Sequence, residues 1–551
     1  MAKKSAAVKQ KAPSSLTMRL FDPGMSALHR AGLGGLACTL RYIERAYDLG
    51  ILLDDELPGG PWMNRKPPWS VDRLQVVLDF GDPENAGEYL CRLFAIAFQV
   101  KDGLIYLPSQ YFLEPPISVR NELQTGLTLS FLQHGRVRDL DKKETTECLH
   151  IEEQPIHISY KKCKSYKHQE GWKDLVDNKG CLKSCPIEVI GPINPGAVVR
   201  HVAYTGKTKI EEPASHVLSL YFSIVGCLTI PINRGSGVLL IPEVDDLIKF
   251  AANRPYMTPS SSRDCRITSA GDAALQAQVR LKAKQLVDWS DLPACNAITF
   301  KPTPWASQQK SRVHALNVSL NKETQLHQFE IALSQLPPKI VSRIKNETIG
   351  KGKNKMTVKK TEYFWVDSLI RPVIADNFAR NRPFYQGFTD LMSKIDPVSK
   401  KPFHERVHFE KKGLKAMTDQ TMEGSPEYII VKAIHRAILH TLGRIKEDTQ
   451  GNDKKPPTQA TKNRWKNQYE RWRLAFTGAK TPEQTRSALC DMFARAGIID
   501  ELKKDWPQIL PKICKQTEWQ LMRDLALLAL ASYSGKESED ALMEESEKNV
   551  A

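Results

Sequence analysis

The sequence predicts an α+β protein in which a large mixed body is followed by an all-α helical bundle. Three observations carry that reading. Short apolar segments lie between Pro and Gly breaks over the first three-quarters of the chain, with helical patterns among them and no regular strand–helix–strand rhythm or fixed repeat. From about Glu427 the apolar spacing becomes wholly helical. The charge changes there as well. Residues 417–551 hold 21 basic and 20 acidic side chains, leaving 58 and 43 for residues 1–416. The chain thus divides into a basic tail at 1–15, a body at 16–416 and a bundle at 417–551.

In order, the tail is small and basic, with Lys3, Lys4, Lys9 and Lys11 and no acid. It reads as disordered until a partner meets it. Leu28, Leu36, Leu40, Ile43 and Tyr47 give a helix that ends near Gly50. Residues 59–68 (GGPWMNRKPP) form an aromatic, basic loop, residues 74–80 a strand and residues 86–99 a helix. Residues 105–107, 127–132, 155–160, 188–190 and 238–241 are short strand candidates, and 217–230 reads as a buried strand pair or helix. Residues 339–360 carry eight basic side chains and one acid around GKGKNK. Glycine freedom and lysine repulsion predict a flexible basic loop there, with Tyr363, Phe364 and Trp365 directly behind it. In the bundle, Ile429, Ile430, Ala433, Ala437 and Ile438 form one apolar face. Trp465, Tyr469, Trp472 and Phe476 form another that reads as core, although Arg464, Lys466, Arg471 and Arg473 on the other faces remain open to a nucleic-acid strand. Two further helices span residues 483–496, begun by Pro482, and 518–532.

A net charge of +16 and an isoelectric point near 9.2 favour a polyanionic partner, because Lys and Arg that neutralise phosphates release condensed counterions. The N-terminus lacks the apolar core of a secretory signal, and no stretch reaches the ~18–20 apolar residues of a membrane span. Eleven cysteines without regular spacing fit free thiols in a reducing cytoplasm, with no membrane partner.

Several short patterns bear on chemistry. HERVH at His404, Glu405 and His408 matches the zinc-peptidase pattern, which needs both imidazoles on one helical face and Glu405 as general base. Pro402 and the alternation of Phe403, Val407 and Phe409 favour a half-buried strand instead, so the zinc metallopeptidase is the alternative function. Cys181 and Cys185, with Cys163, Cys148, His157 and His168 nearby, are spaced too loosely for a preset zinc corner, and unliganded thiols are the simpler reading. GLGGLA at 32–37 fits a dinucleotide pattern formally, but a helix precedes it. Its small residues better suit close approach of another backbone or of RNA. TGKT at 205–208 lacks the first glycine of a phosphate loop. No catalytic residue, metal ligand or cofactor is assigned. The strongest nucleic-acid signal is Lys351, Lys353, Lys355, Lys359 and Lys360 with the aromatics behind them. Arg65 and Lys66 in the Trp-flanked loop are further nucleic-acid candidates, and Arg30 is a candidate for RNA or a neighbouring subunit.

At residues 20–36, LFDPGMSALHRAGLGGL, followed by the PW…PPW loop at 61–69, the chain resembles the large-subunit family of type I CRISPR Cascade complexes. The resemblance is to the Myxococcus-subtype branch, near types I-A and I-B. It implies a non-catalytic subunit of a ribonucleoprotein complex, placed at the 5′ end of the guide RNA (crRNA) beside backbone, capping and small subunits. It implies recognition of the protospacer-adjacent motif (PAM) on double-stranded target DNA and support of R-loop formation. Target binding would then call in a nuclease-helicase for antiviral defence or proteins of RNA-guided transposition. The resemblance also implies that the bundle matches the Cascade small subunit, with Met417 or Met422 as a candidate internal start.

Overall fold

A computed structural model describes residues 12–62, 66–195, 210–232, 235–283, 292–305, 308–319, 323–349, 356–396, 400–451, 456–497 and 499–535. The fold is α+β, and its sheets are small and antiparallel. The chain gathers into two compact units, 1–319 and 320–551.

The first unit opens with strand β1 (Ser15–Arg19) and the long helix α1 (Ala27–Asp48). Ser15, the last residue assigned to the tail, therefore belongs to a strand, and residues 1–11 lie outside the described residues. Strands β2 (Trp69–Val71) and β3 (Gln75–Asp79) complete a sheet of order β1-β3-β2. Helix α2 (Ala86–Ala97), the ribbon β4 (Gln99–Lys101) and β5 (Leu104–Tyr106), and helix α3 (Ile117–Leu129) follow. The strand expected at 127–132 is thus largely the end of α3. Its apolar run packs beside the sheet that comes later rather than entering it, and periodicity cannot separate a short buried strand from a helix end. A long hairpin, β6 (Arg138–Ile151) and β7 (Gln154–Tyr166), precedes the two-residue strands β8 (Ile187–Glu188) and β9 (Glu211–Glu212).

Residues 217–230 resolve into the end of helix α4 (Ala214–Gly226) and the start of strand β10 (Leu228–Ile232). Strand β11 (Ser236–Pro242), helices α5 (Leu247–Met257) and α6 (Ala270–Ala283), and strands β12 (Cys295–Trp305) and β13 (Gln308–Val318) finish a four-stranded sheet of order β10-β11-β12-β13.

The centre of this unit is the pairing of α1 with α4, and glycine makes it possible. A Cβ on Gly32 would stand 1.9 Å from the Ser219 carbonyl oxygen, and one on Gly35 2.3 Å from that of Phe222. The reciprocal position is Gly226, whose Cβ would stand 1.8 Å from the Ala31 carbonyl oxygen. The small residues of GLGGLA therefore serve backbone-to-backbone packing, and the ascending register makes the two helices parallel. The α4 C-terminus is buried, so its orphan carbonyls need donors. Arg254, fully buried, supplies Nε to Gly226 O at 2.8 Å, and Gln110 Nε2 reaches Ile224 O at 2.9 Å and Val225 O at 3.0 Å.

The second unit begins with helix α7 (Glu323–Gln335) and a second hairpin, β14 (Lys339–Ile349) and β15 (Met356–Val366). Helices α8 (Arg371–Ala379), α9 (Phe388–Ser393), α10 (Phe403–Val407) and α11 (Lys411–Met422) lead into α12 (Pro426–Gln450), α13 (Gln459–Gly478), α14 (Pro482–Ala496), α15 (Asp500–Cys514) and α16 (Trp519–Ser532). The compositional step at 416/417 falls inside α11, which packs on α7 and α16 and so groups residues 320–416 with the helices that follow. Met417 and Met422 are both buried in α11. α15 forms with Pro507 and Pro511 inside it, prolines that argue against a helix in the sequence. The aromatic stripe of α13 is core as expected, with Trp472 and Phe476 buried and Trp465 Nε1 donating to Leu442 O at 2.9 Å. Asp524 of α16, buried, caps the start of α9 by accepting from Gly387 N at 2.7 Å and Thr389 N at 2.9 Å.

Candidate nucleic-acid interface

The basic segment expected to be a loop is a β-hairpin on both of its flanks. Its centre, with Lys351, Lys353 and Lys355, lies outside the described residues. Opposite residues pair as Lys339–Val366, Val341–Phe364, Arg343–Glu362 and Lys345–Lys360 along one face, and as Ser342–Tyr363, Ile344–Thr361 and Asn346–Lys359 along the other. The β-branched residues of the flank (Ile340, Val341, Ile344, Thr348 and Ile349) are the available signal, and the glycine–lysine centre masks it. Residues 342–346 are all exposed, as are Lys359, Lys360 and Phe364.

This arrangement sorts the predicted contacts. Lys359 and Lys360 project from opposite faces. Lys360 stands directly opposite Lys345, and facing Cβ atoms in such a pair lie about 4.5–5.5 Å apart. One step away, Arg343 Nη2 donates to Glu362 Oε2 at 2.9 Å, and the same guanidinium covers the Phe364 ring at 5.5 Å from its centroid. Arg343 and Lys345 thus join the site, whereas the contacts expected from the sequence run only from Lys351 to Lys360. The base of the hairpin is fixed. Arg371 Nη1 donates to Leu336 O at 3.3 Å, joining the chain before β14 to the chain after β15. Glu410 accepts from Leu369 N at 2.7 Å and from Ser368 Oγ, and burial pushes its carboxyl above the usual range against those hydrogen bonds.

The candidates in the first unit sit in different surroundings. Arg65 lies outside the described residues, and Lys66 is exposed beside it. The tryptophans flanking this loop face inward. Trp62 packs against Tyr47 at 4.8 Å and against Trp69 at 5.0 Å, and Trp69 Nε1 donates to Glu44 of α1 at 2.7 Å. They hold the loop to α1 rather than offering rings to bases. Arg30 is half-buried, donates Nη1 to Met25 O at 3.1 Å and covers the exposed Phe21 ring at 6.0 Å.

HERVH is not a strand. Pro402 stands at the N-cap of α10, and the segment continues into a 3-10 turn at His408–Glu410. Only Val407 of the three alternating apolar residues is buried, since Phe409 is exposed, so the alternation had no sheet to serve. His404 Nε2 lies 3.2 Å from Glu470 of α13, and burial drives the His408 imidazole down to about 4. The scattered Cys and His residues also separate. Cys148 and His157 face each other across β6 and β7, Cys163 is buried, and Cys181 donates its backbone N–H to Asp177 at 3.0 Å. His168 sits in a cage of Phe98, Phe131, Tyr166 and Tyr221, and burial lowers its imidazole to about 3. All eleven cysteines are free. Among the described residues, the group whose potential metal-donor atoms lie within 4.8 Å of one another is His29, Glu212 and His216. No helix of the described residues is long and apolar enough to cross a membrane.

The residues quoted above for their resemblance, at 20–36 and 61–69, point to a large subunit of a type I CRISPR complex, and comparison with known proteins agrees. The profile of the DevT N-terminal domain matches residues 17–221 and that of the DevT C-terminal domain matches residues 419–550. The CRISPR-associated protein Cas8a1/Csx13 of Myxococcus xanthus (strain DK1622) is 32% identical over 565 residues, covering 100% of this chain and 94% of the relative. The chain belongs to this Cas8a1/Csx13 family of type I large subunits.

Proposed function

We propose that this chain is the non-catalytic large subunit of an RNA-guided surveillance complex. In that role it holds the 5′ region of the guide RNA, engages double-stranded target DNA at the protospacer-adjacent motif, and supports R-loop formation beside the backbone, capping and small subunits. It works in the cytoplasm, in antiviral defence or RNA-guided transposition. The observation that carries the nucleic-acid part is the Lys345–Lys360 pair. Like charges directly opposite on an exposed two-stranded hairpin repel, and a phosphate between them turns that repulsion into attraction. Lys359 adds a cation on the hairpin's other face, Lys351, Lys353 and Lys355, next in sequence, are proposed as further contacts, and Arg343 holds Phe364 where a base can stack. Arg30, Arg65 and Lys66 are proposed as secondary contacts.

The test measures target-duplex binding by the assembled complex across a salt series. Lys345→Gln/Lys360→Gln should flatten the slope of log affinity against log salt by about 1, since the one phosphate they share contributes roughly 0.9. An unchanged slope removes the hairpin from the interface.

A further inference from the structure

We propose that His29, Glu212 and His216 form a three-ligand site for a divalent transition-metal ion, zinc by donor type, that ties the start of α1 to the start of α4. The inference is independent of the nucleic-acid reading. The donors come from three elements: His29 from the first turn of α1, Glu212 from β9 and His216 from the first turn of α4. Glu212 Oε2 is the hub, 2.6 Å from His29 Nε2 and 3.3 Å from His216 Nδ1, and the two rings meet edge to face at 5.3 Å. Two ligands on one tetrahedral zinc at about 2.0–2.1 Å stand about 3.3 Å apart, so the carboxylate–His216 spacing already suits a shared ion. The carboxylate–His29 contact, at 2.6 Å, opens by about 0.7 Å when the ion replaces the proton now between them. Two imidazoles and a carboxylate, with a fourth position for water, are a common zinc donor set.

The surroundings favour the site in three ways. His29 is buried, so an ion held there is shielded from bulk water. Its other nitrogen, Nδ1, lies 2.7 Å from Ser26 Oγ, the partner that orients a ligating ring from behind. In the metal-bound tautomer Nδ1–H donates to that hydroxyl, at the expense of the longer 3.2 Å contact from Ser26 N. The scaffold is also rigid. His29 and His216 each precede by three residues the positions, Gly32 and Ser219, where the two helix backbones touch, so the spacing of the imidazoles is set one turn away. Gly24, at φ +93°, closes the far side, where a Cβ would meet His216 Cε1 at 3.1 Å.

The experiment uses the full chain, loaded with zinc and then desalted, with bound metal measured by mass spectrometry. A single zinc per chain is expected. His216→Ala and Glu212→Gln should each weaken zinc binding about a hundredfold or more, and Ser26→Ala about ten- to a hundredfold. Cys181→Ser/Cys185→Ser should bind as the parent does. If no zinc is retained, if His216→Ala and Glu212→Gln retain it unchanged, or if the cysteine variant loses it, the proposal is overturned. Should His216→Ala fail to fold, the cobalt-substituted parent decides: a nitrogen–oxygen spectrum supports the site, and thiolate-to-cobalt bands overturn it.

Discussion

The two long hairpins, β6–β7 and β14–β15, share an architecture and differ in what they do with charge. Residues 138–166 carry six basic and six acidic side chains, whereas residues 339–366 carry eight basic and two acidic. The first hairpin neutralises itself locally. Lys164 pairs with Asp141 at 3.0 Å, Tyr160 Oη donates to Glu147 at 2.6 Å, and Arg263 closes on Glu152 of the turn at 2.6 Å. Ile156, Tyr160, Cys163 and Tyr166 are buried along β7. The second hairpin has the Arg343–Glu362 pair and then a run of lysines, two of them face to face. A net charge of +16 therefore says little until it is distributed. One ribbon is a packed structural element with charged edges, and the other keeps a cationic surplus that its own carboxylates do not match.

The contrast can be broken most directly by charge reversal. Lys345→Glu/Lys360→Glu should weaken duplex binding by the complex about a hundredfold at low salt, while Lys161→Glu/Lys164→Glu should change it less than about threefold. Equal losses in a gel-shift titration would erase the distinction. The next effect belongs to His168, two residues past the end of β7. Its folded value near 3 lies below the unfolded 6.5, so the unfolded chain takes up the proton first. Stability is intact above about pH 6.5 and falls as the pH drops towards 3, by about 2 kcal/mol at pH 5. His168→Leu should flatten that part of the melting-temperature profile of the first unit, and an unchanged profile would place the acid sensitivity elsewhere. Phe364→Ala should cost about 1–2 kcal/mol in single-strand binding without moving the salt slope, because stacking releases no counterions. A shift in slope would mean that the ring works by positioning Arg343. Smallest is Arg263→Ala, which removes an exposed ion pair at the tip of the first hairpin. Thermal unfolding should register less than about 1 kcal/mol.

Legibility in the sequence followed the range of the interactions. α1, α2, α12 and α14 were readable because a helix declares itself through spacing within its own residues, and Pro482 marks a first turn. The basic hairpin was recognised by composition but not by form, since its pairing joins residues such as Arg343 and Glu362 across a glycine–lysine centre that breaks the strand signal. HERVH misled in the other direction, because its alternating apolar residues had no sheet to pack on. The His29–Glu212–His216 cluster was out of reach altogether: its members come together only because α1 and α4 touch, and the local sign was an unremarked Glu-x3-His spacing. The purpose of GLGGLA could be narrowed to a close approach, while the identity of the approaching backbone required the fold.

That contact has a consequence at the level of the gene. No single-base step from a glycine codon leads to a smaller residue; every non-silent one adds atoms or ends the chain. At Gly32, Gly35 and Gly226 the added atoms would land on a carbonyl oxygen or an amide of the opposite helix, which has nowhere to retreat. The three codons are therefore open only to synonymous drift, and α1 and α4 are inherited as one object. Variation that retunes this protein has to be written around that seam.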